Sequence, residues 1–173
     1  MYSSHHQECS LVPPLVKYRV PGHPRLAVRA IELDSSSVEL SGMLFGGLRS
    51  AHYTGGIPDL AFLDRFCAEG NDRFKILLSH HPEYYPSYIR ERAEIDLTLA
   101  GHAHGGQWCI LGRGIFAPGQ GLFPKYTHGL YDGGRLAVSR GMHNSIKIPR
   151  IFCPTEILYL LIGQNLQKSH PND

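Results

Sequence analysis

Runs of apolar residues along the chain alternate with tight clusters of glycine, proline, serine and histidine, and the runs predict the elements. From Leu26 to Leu33 (LAVRAIEL) and from Val38 to Phe45 (VELSGMLF), two β-favourable stretches flank Asp34 and three serines, which predicts a strand pair with a polar turn. Gly46, Gly47, Gly55, Gly56 and Pro58 then predict a loop. Asp59 can cap a helix whose apolar positions, Leu60, Leu63, Phe66 and Cys67, follow helical spacing until Gly70 stops it. Phe74 to Ser79 (FKILLS) has the unbroken apolar character of a strand buried on both faces, and it ends at His80, His81 and Pro82. Pro86 to Glu94 predicts a short helix with proline in its first turn. Ile95 to Ala100 is a second buried strand, halted at Gly101 just before His102 and His104. Strand, helix, strand is a βαβ unit, whose crossover makes the strands parallel and brings both C-terminal ends to one edge.

Downstream, Gly112, Gly114, Pro118, Gly119, Gly121 and Pro124 mark a long irregular excursion carrying Trp108, Phe116, Phe123 and Tyr126, expected to wall a pocket. Thr127 to Tyr131 and Arg135 to Ser139 predict two short strands around the hairpin turn Asp132, Gly133, Gly134. A last strand, Glu156 to Ile162, is expected to close the sheet. Residues 1–25, with Pro13, Pro14, Pro21 and Pro24, read as a loose lead-in, 26–162 as the domain and 163–173 as a polar tail. No internal repeat occurs.

Composition narrows the class. The 173 residues suit one domain, and 42% hydrophobic with 18% charged content is that of a globular chain. A formal charge of +2 from scattered basic residues forms no nucleic-acid patch. The four cysteines lie more than forty residues apart without a Cys-x-x-Cys, which argues against a zinc ribbon or redox motif and suits a reduced, cytoplasmic setting. The longest apolar stretch, Ile157 to Ile162, is strand-length, so neither an export signal nor a membrane span is expected. Among eleven histidines, His80, His81, His102 and His104 fall close together, whereas His5, His6 and His170 read as solvated tail residues.

The chemistry follows from topology. If the two buried strands are neighbours, His80, His102 and His104 enter one space at the edge where open α/β sheets bind ligands. Neutral imidazole is a common metal ligand, and Gly105 and Gly106 let the loop turn sharply. Ser79 and Gln107 are candidates to orient the imidazoles. His81, Tyr84 and Tyr85 read as a rim beside the strand end. A mononuclear three-histidine zinc hydrolase would also need a general base, and no Glu is evident within the motif. A serine hydrolase lacks its Gly-x-Ser-x-Gly.

The strings FKILLSHHPE, IDLTLAGHAHGGQW, PKYTHGLY and SRGMHNSIKIPRIF resemble the calcineurin-like metallophosphoesterases, in particular the bacterial phosphohydrolases similar to YkuE and YaeI, over roughly Leu26 to Ile162. The resemblance implies an α/β fold, an αββα sandwich of mixed sheets, here incomplete. It implies two divalent ions (Mn, Fe, Zn or Ni), with His80 and His102 on one and His104 on the other, and hydrolysis of a phosphoester by a two-metal-activated water. The family's Asp-x-His, Gly-Asp and Gly-Asn-His motifs have no counterpart in the chain. Its one Gly-Asn, Gly70-Asn71, reads as a helix-end turn, and His143 stands where the branch usually carries glycine. The chain is therefore expected to be the C-terminal half of such an enzyme, with no catalytic residue identifiable beyond the metal ligands. The rival expectation is an inactive half-domain, inert or dependent on a complementing N-terminal half. A complete parent protein could carry a membrane anchor upstream.

Overall fold

Ile76 and Leu77 are adjacent in one strand, point to opposite faces, and are both fully buried, so the sheet that holds them is covered on both sides where they sit. The computed structural model describes residues 15–20, 23–50, 56–117, 119–142 and 149–162. Its strands are β1 (Leu15–Val20), β2 (His23–Ile31), β3 (Ser36–Leu40), β4 (Met43–Leu48), β5 (Phe74–Ser79), β6 (Leu97–Ala100), β7 (Cys109–Ile110), β8 (Arg113–Gly114), β9 (Phe116–Ala117), β10 (Gly121–Leu122), β11 (Gly129–Tyr131) and β12 (Leu136–Val138), with one α-helix, α1 (Leu60–Ala68). Six of them form a mixed sheet in the order β11-β12-β6-β5-β4-β3. The four central strands run parallel, and β3 and β11 close the edges antiparallel. The fold is thus mixed α/β, as expected, and is rich in strand and poorer in helix than the sequence suggests. Among the described residues no helix is long and apolar enough to cross a membrane.

The first face of the sheet, with Leu44, Leu48, Leu77, Leu136 and Val138, packs on Phe62, Leu63 and Phe66 of α1 and on Tyr85 and Ile89. Asp59 caps the helix as the sequence predicts, its carboxylate accepting from the Phe62 amide at 2.9 Å. Gly70 follows the helix end with φ +52°, so the Gly70-Asn71 pair is indeed a turn. Lys75 breaks the apolar reading of β5 without breaking the strand. It is buried, and its ammonium donates to the carbonyls of Phe66 and Cys67, which the end of α1 leaves without helical partners.

Several expected elements take another form. Val38 to Phe45 is two strands rather than one, because Ser41 (φ +53°) and Gly42 (φ +77°) make a two-residue hairpin turn with Leu40 opposite Met43. Two successive positive φ values match the twist of the flanking strands, so the Ser-Gly pair folds the run back on itself. The Leu26 to Leu33 stretch pairs instead with β1, which lies within the expected lead-in. Pro24 is tolerated there because both strands of a two-stranded ribbon are edges. Gly46 and Gly47 sit inside β4, not in a loop, and a Cβ on Gly46 would come within 2.6 Å of the Phe66 ring. The expected helix over Pro86 to Glu94 is a single π turn, Tyr85–Ile89. Glu156 to Ile162 makes no ladder. It runs over the second face, where Leu158 and Leu160 pack on the cluster of Ile76, Leu97 and Ala137. Its alternation is that of a strand, but its contacts are face-on rather than edge-on. The irregular excursion forms two small ribbons, β7-β8 and β9-β10. Residues 1–14, Gly55, Pro118, His143 and the 163–173 tail lie outside the described residues.

The second face is only partly covered, with Leu78 38% exposed. Exposed apolar sheet surface favours association. The purified chain is expected to elute as oligomers or aggregates in size-exclusion chromatography with light scattering. A monodisperse monomer would contradict this.

Candidate metal centre

The parallel ladder of β5 and β6 puts their C-terminal ends side by side. The Gly101 amide donates to the His80 carbonyl at 3.2 Å, and the Ser139 amide to the Ala100 carbonyl at 3.0 Å, which ties three strand ends together. After Gly101 the backbone enters the left-handed region at His102 (φ +48°) and His104 (φ +49°), uncommon for residues with a Cβ. Gly105 follows at φ +71°, and a Cβ there would overlap the Cys153 sulfur. The glycine therefore serves both the turn and the close approach of the C-terminal segment.

This framework brings His80 and His102 together as the topology predicts. His102 Nδ1 lies 3.1 Å from His80 Nε2. His104 is close enough to act electrostatically on both, and its Nδ1 lies 3.1 Å from the Arg150 guanidinium. A guanidinium can only donate, so Nδ1 is the accepting nitrogen and the proton sits on Nε2. His81, expected on the rim, is instead buried in the centre, its ring 4.3 Å from that of His102. Its Nδ1 is 2.9 Å from Glu83 Oε1 and its Nε2 is 2.6 Å from Ser50 Oγ. Glu83 Oε2 is buried and makes no hydrogen bond among the described residues. One ligand atom from each of His81, Glu83 and His102 falls within 4.8 Å of the others.

The expectation that no Glu joins the motif is thus corrected. Pro82 turns the chain after β5, and Glu83 folds back beside His81. Gly119 of the excursion lies so close that a Cβ would overlap Glu83 Oε1, so this loop does wall the site. Tyr84 and Tyr85 are core residues rather than a rim, and the Tyr85 hydroxyl donates to Asp132 at 2.6 Å. Ser79 donates to the His81 carbonyl at 3.2 Å, supporting the loop rather than a ring nitrogen, and Gln107 is buried. Glu83 was legible in LSHHPE itself, two residues after His81. Ser50 had no local signal. An open depression of about 390 Å³ lies beside the site, lined by Leu48, Leu78, Ser79, His80, Leu99 and Gly101.

Electrostatics prepare this cluster for a cation. Burial, then the neighbouring His81 and His80, pull the His102 pKa down to about 4. Burial also lowers His80, with His81 adding to it, and lowers His104, with Arg150 adding to it. For Glu83, burial works to raise the pKa, but the His81 hydrogen bond and backbone donation outweigh it and hold the carboxyl below its usual range. At neutral pH His80, His102 and His104 are therefore neutral and Glu83 is a carboxylate, the protonation state in which metals are bound.

A pH dependence follows. A histidine with its native pKa depressed binds more protons when unfolded, so its contribution to stability is present above the unfolded value near 6.5 and is lost as pH falls toward the native value. For His102 that window runs from 6.5 to about 4. The melting temperature is expected to fall across it and to fall less in His102→Gln. Identical profiles would contradict the assignment.

No family profile matches the chain, and no solved structure does. Among curated proteins, an uncharacterized metallophosphoesterase of Campylobacter jejuni is 36% identical over 121 residues, covering 61% of this chain and 30% of that protein. The chain thus spans less than a third of its relative's length. The similarity supports a metallophosphoesterase affiliation for the region it covers.

Proposed function

We propose that this chain supplies the histidine side of a metal-dependent phosphohydrolase. The observation that carries the reading is the meeting of His80 and His102 at 3.1 Å between ring nitrogens, at the C-terminal edge of neighbouring parallel strands. The likeness to a metallophosphoesterase supports it, and the donor set fits a divalent cation, because burial depresses the His80 and His102 pKa values and so keeps imidazole lone pairs available. His80 and His102 would hold one ion and His104 the second, with Mn, Fe, Zn or Ni all compatible with mixed nitrogen and oxygen ligation. Such ions, when bound, supply Lewis-acid polarisation of a phosphoryl group and activation of the attacking water.

The chain's own residues shape and steady the site. The left-handed turns at His102 and His104 present the rings, and the depression beside His80 leaves an approach for a phosphoester. His104 would take its ion on Nδ1, with the Arg150 guanidinium displaced from that nitrogen. Asp-x-His, Gly-Asp and Gly-Asn-His do not occur in these 173 residues. The remaining ligands then come from a segment outside them or from a complementing chain, and without either the half-domain is inert.

With those motifs supplied, His80→Ala, His102→Ala and His104→Ala are each expected to lower metal-dependent hydrolysis of an aryl phosphodiester by more than about 100-fold, beyond what loss of an outer-sphere partner does. Activity within a factor of two of the parent in any of the three would remove that histidine from the centre.

A further inference from the structure

We propose that His81, Glu83 and His102 form a cation site complete within this chain, taking a single first-row divalent ion and needing no residue from elsewhere. This donor set shares His102 with the centre proposed above and otherwise differs from it. It stands whether or not the protein hydrolyses phosphoesters.

The first argument is spacing. Two ligand atoms bonded to one zinc-like ion at about 2.0 to 2.2 Å lie roughly 2.9 to 3.5 Å apart when the bonds subtend a right or tetrahedral angle. His81 Nδ1 and Glu83 Oε1, at 2.9 Å, already stand at that separation. His102 also brings a ring nitrogen into the cluster, one ligand atom of each of the three residues lying within 4.8 Å of the others.

The second argument is the orientation of His81. Its Nε2 is 2.6 Å from Ser50 Oγ. With the ring proton on Nε2 and Ser50 accepting it, the Nδ1 lone pair faces Glu83. Two acceptors at that distance repel unless a proton or a cation lies between them. A ring holding one proton carries it on Nε2 when an ion takes Nδ1. Ser50 is then the outer partner that metal-binding histidines usually have, turning from donor to acceptor.

The third argument is the other carboxylate oxygen. Glu83 Oε2 is buried and without a hydrogen bond among the described residues, an arrangement that costs free energy unless some ligand meets it. A cation held by Glu83 meets it. Three protein ligands leave a coordination position open, as in catalytic rather than structural zinc sites.

The test is binding by the metal-stripped 173-residue chain, with Zn²⁺ followed by isothermal titration and Co²⁺ by its visible spectrum. One equivalent is expected, with Co²⁺ bands of a low-coordinate site. Glu83→Gln and His81→Gln are expected to weaken binding more than about 100-fold, and Ser50→Ala about 10-fold, the range for an outer partner. His104→Gln should leave affinity within about threefold. Circular dichroism separates a lost site from a lost fold, and if Glu83→Gln does not fold, Ser50→Ala decides by the same measure. Absence of stoichiometric binding, unchanged affinity in Glu83→Gln or Ser50→Ala, or equal loss in His104→Gln would each overturn the proposal. The last result would place His104 among the ion's ligands instead. Since no substrate is present, failure here is distinct from failure of the hydrolase reading.

Discussion

Replacing Phe66 by alanine is expected to cost about 3 to 5 kcal/mol of folding stability, the range for a large buried aromatic, read as a shift of the urea midpoint at unchanged slope. Phe66 is fully buried on α1, stacked on Phe62 at 5.7 Å between centroids. Its ring fills the hollow left in β4 by Gly46, where a Cβ would come within 2.6 Å of it. Gly46 has no side chain to move into the space that the ring vacates. Gly46→Ala approaches the same contact from the opposite side and is expected to cost about 1 to 3 kcal/mol through overpacking. In Phe66→Ala, Gly46→Ala should become nearly harmless, since the added methyl then occupies the vacated space. A Phe66→Ala loss below about 1 kcal/mol, or additive losses in the double variant, would show that the helix does not seat on the sheet in this way.

The isolated chain is expected to hydrolyse aryl phosphodiesters more than about 100-fold more slowly than the same chain combined with a segment carrying Asp-x-His, Gly-Asp and Gly-Asn-His, since even outer-sphere partners of metal ligands are worth 10 to 100-fold. Two divalent ions a few ångströms apart repel strongly, and carboxylates between them offset that repulsion. Glu83 is the one carboxylate in the described cluster, and it serves His81. A single ion at His81, Glu83 and His102 would polarise a phosphoryl group but could not clamp both the attacking and the leaving oxygens. Brisk turnover by the 173-residue chain with added Mn²⁺ or Zn²⁺ would overturn this expectation.

The two experiments examine different layers of the molecule. The first tests the face of the sheet that α1 covers, whereas the second tests the strand ends. The layers are coupled through β5. Leu77 reaches the helix, Ile76 the opposite face, and His80 leaves the strand directly into the centre. Destabilising the helix contact is therefore expected to loosen the site, but not the reverse.

Much of this was legible along the chain. FKILLS was legible as a strand because six residues without a breaker are largely apolar on both faces, and β5 has those bounds, although Leu78 keeps 38% exposure. Asp59 marked the helix start because its side chain can satisfy an amide that the helix leaves unpaired. The meeting of His80 and His102 followed from the crossover rule, which constrains parallel strands whatever their side chains. Local chemistry also misled. Ser41 and Gly42 were read as strand, and Gly46 and Gly47 as loop, because a glycine beside apolar residues signals a turn or a close approach, and only the packed partner tells which.

The sequence by itself therefore determined the elements whose causes lie within a few residues: β5 and β6, the cap of α1, the hairpin at Asp132, and the edge at which the histidines gather. Tertiary structure alone decided what those histidines touch. Arg150, 46 residues from His104, meets that ring at Nδ1. Ser50, 31 residues from His81, holds that ring in the centre rather than on the rim. Hydrogen bonds of a few ångströms select the tautomer and direction of an imidazole, and partners so distant in the chain become neighbours only when the sheet closes.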